Sequence, residues 1–123
     1  MVDLERTVLY EVSEHVATVT INRPKRYNSL NYLAYKELTE AFEKANLDSD
    51  VHAIIFTGTG RGFCTGDDVK ELLGAGAAEL SRRIQTGELE LPSEPMKRSD
   101  KPIIAAVNGA AVGYGMELSL LAD

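Results

Sequence analysis

Two glycine-rich turns, at residues 58–66 and 109–115, each stand directly behind a short apolar run and ahead of a helical pattern. That punctuation leaves the chain few folds. The runs at 51–57 and 103–107 are too short for core helices and end near glycine, so they read as strands of a buried sheet. The first is apolar enough to be covered on both faces, as central parallel strands are. Upstream, 7–12 and 15–22 read as a hairpin turning at Ser13-Glu14. Its second strand alternates, with Val16, Thr18 and Thr20 on one side and Ala17, Val19 and Ile21 on the other. The proline in Arg23-Pro24-Lys25-Arg26 cannot donate to a sheet ladder and closes that strand.

Helical periods fill the gaps. Asn31 is placed to cap a helix running to about Asn46. Its apolar face is Ala34, Leu38, Ala41, Phe42 and Ala45, with Lys36, Glu37, Glu40, Glu43 and Lys44 toward water. Gly66-Asp67-Asp68 leads into a short helix ending at Leu72, and 77–85 forms another on Ala78, Leu80 and Ile84. Residues 86–100 hold two prolines and many charges and read as a long surface loop. A last helix begins at Met116 and runs to Asp123 with no visible apolar partner. Hairpin, then alternating helix and strand, is the order of an α/β domain with a largely parallel sheet and right-handed crossovers.

Composition excludes several functions. A net charge of −6 over 123 residues argues against a general nucleic-acid or anionic-membrane surface, which needs a basic face. The single cysteine, Cys64, forms no disulfide framework and no cysteine metal cluster, and reads as a small packed residue. His15 and His52 are far apart in sequence and have no neighbour at metal-ligand spacing. No stretch approaches the ~20 apolar residues of a membrane span. Residues 1–6 lack the basic-then-apolar layout of a secretory leader, so a cytoplasmic location is the expectation.

Ligands of α/β sheets gather at the carboxyl ends of the strands, where both glycine-rich turns fall. Each turn can aim free N–H groups from a helix start at an anion or a developing oxyanion. A dinucleotide fingerprint is absent, because Phe63 stands where the third glycine belongs. No phosphate-binding glycine-lysine-serine/threonine triplet and no G-x-S-x-G elbow occurs.

Four segments, in order, resemble the enoyl-CoA hydratase/isomerase (crotonase) superfamily. They are Ile21-Asn22-Arg23-Pro24 with Asn28-Ser29-Leu30, the run from Gly60 to Val69, the run from Lys101 to Gly109, and Gly113-Tyr114-Gly115-Met116-Glu117-Leu118. The resemblance implies the crotonase-type ββα spiral, of which residues 1–123 are the N-terminal portion. It implies an oxyanion hole for an acyl-CoA thioester, made by the backbone N–H groups of Asp67 and Tyr114. The family commonly has a small residue where Tyr114 stands. Glu117 matches one of two glutamates that hydratases of the family use on water and the α-carbon; the second lies beyond residue 123. Asp68, Val69, Lys70 and Arg26 fall where the family contacts coenzyme A, Lys70 being the best placed of the exposed cations. No metal or redox cofactor is implied, coenzyme A being part of the substrate. A homotrimer or hexamer is expected at full length. The oxyanion loops are shared with isomerases and other enolate chemistry, and an acyl-CoA-binding fragment without turnover is the alternative of another class. RNA binding is disfavoured, since the 31–46 helix carries three glutamates against two lysines.

Overall fold

The computed structural model describes residues 6–123; Met1 to Glu5, on which the leader argument rests, lie outside them. β1 (Val8–Ser13) and β2 (Val16–Ile21) pair antiparallel, with Ser13 opposite Val16. The turn is therefore Glu14-His15, one residue later than the sequence suggests. Both residues have positive φ, 50° and 67°, as the tight two-residue turn that matches strand twist requires. Neither is glycine, and tertiary bonds hold the pair. The His15 carbonyl accepts from the N–H of His52 at 2.7 Å, and His15 Nδ1 lies 2.9 Å from the Asp50 carbonyl oxygen.

A short 3-10 turn at Pro24–Arg26 leads to α1 (Tyr32–Leu47). Asn31 caps it as expected, its side chain accepting from the N–H of Ala34 at 2.9 Å. β3 (Ala53–Gly58) adds parallel to β2, and β5 (Ile103–Ala105) adds parallel to β3, giving the order β1-β2-β3-β5. One face of this sheet carries Ala17, Val19, Ile21, Ile54 and Phe56, all fully buried with Leu38, Phe42 and Ala45 of α1. The other face is open: Ile55 is half-buried and Ile104, its register partner, is 56% exposed. The expectation of a strand covered on both faces at 51–57 is thus corrected to burial on one face.

Three further expectations change. Glu37 is buried rather than solvated, because it accepts from Thr7 N–H at 3.1 Å and pairs with Arg6. The glycine-rich turns contain strands too short to show a period, β4 (Gly62–Cys64) and β6 (Ala110–Ala111), which pair as a second, parallel sheet. Residues 86–100 are not all loop, since α4 (Ser93–Arg98) buries Pro95 and Met96. The remaining helices are α2 (Val69–Leu72), α3 (Ala75–Gln85) and α5 (Tyr114–Leu121). α5 starts two residues before the expected Met116. No helix among the described residues is long and apolar enough to cross a membrane.

Candidate active site

The first glycine-rich turn is held from below and from the sides. Phe63 is fully buried against Phe56 at 5.0 Å, and Phe56 meets Phe42 of α1 edge-on at 5.1 Å. Two side-chain amides fix the backbone above it. Asn28, fully buried, donates through Nδ2 to the carbonyls of Thr59 (2.9 Å) and Gly62 (2.6 Å), while its Oδ1 accepts from Arg23 N–H. Asn108 donates to the carbonyls of Gly60 (2.9 Å) and Gly62 (3.2 Å), and its Oδ1 accepts from Gly58 N–H. The polar groups of a tight buried turn are thereby satisfied, and the turn is set before any ligand arrives.

The second turn lies directly on the first. Val112 N–H donates to the Cys64 carbonyl at 3.0 Å. A Cβ on Gly115 would stand 2.0 Å from that same oxygen, so only glycine permits the approach. Gly66, with φ of 88°, would place a Cβ 3.6 Å from the backbone nitrogen of Tyr114. The two turns therefore meet where Asp67 and Tyr114 begin. Leu30 bridges the first turn from the far side, its N–H donating to Gly66 C=O at 2.7 Å and its C=O accepting from Asp68 N–H at 2.9 Å. In a parallel bridge those flanking groups are used, and the central residue's own N–H faces away. Among the described residues the Asp67 N–H has no acceptor, and neither has that of Tyr114, the first residue of α5. Two unspent donors stand at touching turns, a layout suited to an oxygen carrying developing negative charge.

The side chains around these amides divide the work. Burial pushes the Asp68 carboxyl up, but hydrogen bonds from Arg23 and Glu71 N–H, with the charges of Arg23 and Arg26, hold it below its ordinary value. Arg23 reaches Asp68 at 3.0 Å, both side chains being nearly buried, and also donates to Ser29 C=O at 2.5 Å. Asp68 is the cap of α2 as well, accepting from Glu71 N–H at 3.3 Å. The Tyr35 hydroxyl, from the buried face of α1, donates to Asp67 Oδ1. The Tyr35 and Tyr114 rings sit 5.7 Å apart, and Tyr114 OH accepts from Ser93 N–H at 3.1 Å, tying α5 to α4. Burial raises the Tyr114 phenol above its ordinary pKa, and pushes the Cys64 thiol up to about 11, which leaves Cys64 protonated and inert near neutrality.

Glu117 is exposed in the first turn of α5, near enough to Tyr114 for its charge to act on that phenol. Val69 and Lys70 are exposed on α2, and Arg26 is exposed on the 3-10 turn; neither cation forms an ion pair among the described residues. A groove of about 360 Å³ opens between the start of α1 and the α2–α3 pair, lined by Tyr32, Leu33, Leu72, Leu80 and Arg83. It is separate from the two amides, since neither Asp67 nor Tyr114 lines it. His15 and His52 stack at 4.3 Å on the far edge of the hairpin, and no group of three or more His, Cys, Asp or Glu among the described residues could hold a metal.

The family model of enoyl-CoA hydratase/isomerase matches residues 11–123. The chain belongs to the enoyl-CoA hydratase/isomerase family. It is 41% identical over 120 residues to the probable enoyl-CoA hydratase EchA14 of Mycobacterium tuberculosis, covering 94% of this chain and 44% of that protein. It is also 41% identical over 117 residues to the (E)-benzylidenesuccinyl-CoA hydratase of Thauera aromatica, with the same coverage. A crystal structure of an enoyl-CoA hydratase/isomerase from Mycobacterium paratuberculosis superposes with a TM-score of 0.84 at 31% identity, over 98% of this chain and 49% of that one. The chain spans a little under half the length of the curated relatives it matches, and its fold is the corresponding portion of the crotonase fold.

Sequence reading located both glycine-rich turns of this family member but missed what positions them. Tyr35 lies one residue along from Ala34 on the apolar side of α1, three before Leu38, and extending that face by one position would have found it. Arg23, Asn28 and Asn108 stand in the segments that carry the resemblance, yet nothing in their spacing reveals that both asparagines bond the first turn or that Arg23 pairs with Asp68 just beyond it.

Proposed function

We propose that the protein carrying this chain hydrates a 2-enoyl-CoA, with the thioester oxygen received by the N–H groups of Asp67 and Tyr114. The observation that carries this reading is the contact of the two turns at Gly66, beside two N–H groups, those of Asp67 and Tyr114, that have no acceptor among the described residues. Donors fixed in place before reaction favour the enolate over the ground-state carbonyl, and that difference, not tight binding, speeds the chemical step. Stabilising the oxyanion acidifies the α-carbon and leaves the β-carbon open to water. Glu117, at the start of α5, is the acid or base on this side of the substrate. A second carboxylate beyond residue 123 would complete the pair, as the family resemblance implies.

Asp68 and Val69 would line the start of the coenzyme A path, with Lys70 and Arg26 available to its phosphates. Assembly into trimers or hexamers belongs to this proposal, as does the absence of any metal or redox cofactor from the reaction. Isomerase chemistry would use the same amides with different proton carriers. A second reading, acyl-CoA binding without turnover, is favoured for residues 1–123 alone by their coverage of 44% of the relatives' length.

The test is hydration of crotonyl-CoA by the complete gene product. Turnover is expected, with Glu117→Gln lowering kcat about 10²-fold or more. Residues 1–123 alone are expected to bind without turning over. A complete gene product that binds an enoyl-CoA without hydrating it overturns the hydratase reading, and one that does not bind it overturns the acyl-CoA assignment as well.

A further inference from the structure

Asp67 presents a difficulty that its own backbone creates. Its N–H is one of the two proposed oxyanion donors, and its carboxylate hangs from the next atom along the chain. A free carboxylate swinging toward that N–H would compete with the substrate oxygen as acceptor. It would also repel the negative charge the turns are arranged to receive. The side chain is exposed, so packing alone does not restrain it.

One side chain does. Tyr35 is 4% exposed, wedged on the core face of α1, and its hydroxyl donates to Asp67 Oδ1. Burial, followed by the hydrogen bond to Asp67, raises the Tyr35 phenol far above its ordinary pKa, so it remains a donor throughout the working range. The ring packs against that of Tyr114, at 5.7 Å, whose own hydroxyl accepts from Ser93 N–H. Tyr35 thus touches both residues of the proposed oxyanion site, Asp67 through its hydroxyl and Tyr114 through its ring.

We infer that Tyr35 is a positioning residue of the acyl-CoA site, holding the Asp67 carboxylate aside so that the Asp67 N–H stays open to the thioester oxygen. Tyr35 acts through Asp67 and does not touch the substrate. The inference rests on the oxyanion reading above, and it goes further by making the anionic side chain, not the amide, the element that needs control.

The experiment uses acetoacetyl-CoA, whose enolate absorbs where the keto form does not, titrated into the complete gene product near neutral pH. The wild type should develop the enolate band. Tyr35→Phe should weaken it about tenfold. Asp67→Asn in the Tyr35→Phe background should restore most of the band, because the neutral amide no longer repels the enolate. Crotonyl-CoA hydration by the same variants should follow the same order in kcat, with KM less affected. A band unchanged by Tyr35→Phe, or a deficit that Asp67→Asn does not relieve, means that Tyr35 only packs, and overturns the inference while the oxyanion reading stands. Wild type that binds acetoacetyl-CoA without any enolate band, or does not bind it, overturns both.

Discussion

At the scale of single residues, the test of the oxyanion reading is to remove an N–H without disturbing its surroundings. Tyr114 offers that chance because it is the first residue of α5, where proline is well tolerated in helices. Tyr114→Pro deletes the proposed donor, while Tyr114→Ala deletes the side chain and keeps the donor. Proline should cost about 10²–10³ in kcat beyond the alanine variant, the loss typical of one oxyanion donor. Equal rates for the two would remove Tyr114 N–H from the mechanism. Arg23 tests the scaffold of the same turn. Its partner Asp68 is nearly buried, so Arg23→Met strands a carboxylate, and such breaks typically cost about 3–5 kcal/mol. The pH dependence has a definite sign. The folded protein holds Asp68 below its ordinary pKa of 3.8, so its contribution is complete above that value and fades as pH falls below it. Urea unfolding at pH 7 and pH 3 should show the Arg23→Met deficit shrinking in acid.

At the scale of elements, what sequence disclosed depended on period and length. β2 and α1 were legible because alternation at Val16–Ile21 and the spacing of Ala34, Leu38, Phe42 and Ala45 each match one geometry. β4 and β6 were not, because strands of three and two residues carry no period, and their pairing depends on a turn from elsewhere in the chain. α4 hid behind Pro92 and Pro95, which read as loop although proline suits a helix start. The candidate site shows the same division. Its glycines and its resemblance were visible locally, whereas the Asn28 and Asn108 bonds to Gly62 C=O join positions 34 and 46 residues apart. Lys101 shows how such long-range contacts fix an element. Its ammonium donates to Ala45 C=O at 2.6 Å and Asp48 C=O at 2.5 Å, satisfying carbonyls at the end of α1 and binding that end to the segment leading into β5. Lys101→Met should lower stability by about 1–2 kcal/mol in chemical denaturation, and hydrogen exchange should quicken at the last turn of α1 before the rest of the helix. Uniform exchange along α1 would mean that the lysine does not secure that end.

At the scale of the whole molecule, the surface left by residues 6–123 is uneven. The α1 side of the sheet is closed, while the stretch from β5 to α5 leaves Ile104, Val107, Val112, Met116 and Leu120 at least half exposed or close to it, Leu120 at 75%. α5 buries only Gly115 and Leu118, and Met116 and Leu120, one turn apart, make its exposed face apolar as well, the pattern of a helix enclosed within a larger core. The relatives are about twice as long, which gives this face a ready cover in their remaining chain. One pair of substitutions should therefore act with opposite sign in two lengths of chain. In residues 1–123 expressed alone, Ile104→Lys with Leu120→Lys should reduce binding of a hydrophobic dye and self-association, at little cost in secondary structure, because both side chains already meet water. In the complete gene product the same pair should destabilise by several kcal/mol, since two charges would enter a core without partners. Light scattering and circular dichroism read the first case, and thermal unfolding reads the second. If the doubly substituted complete product unfolds where its parent does, the β5–α5 face remains in water there too.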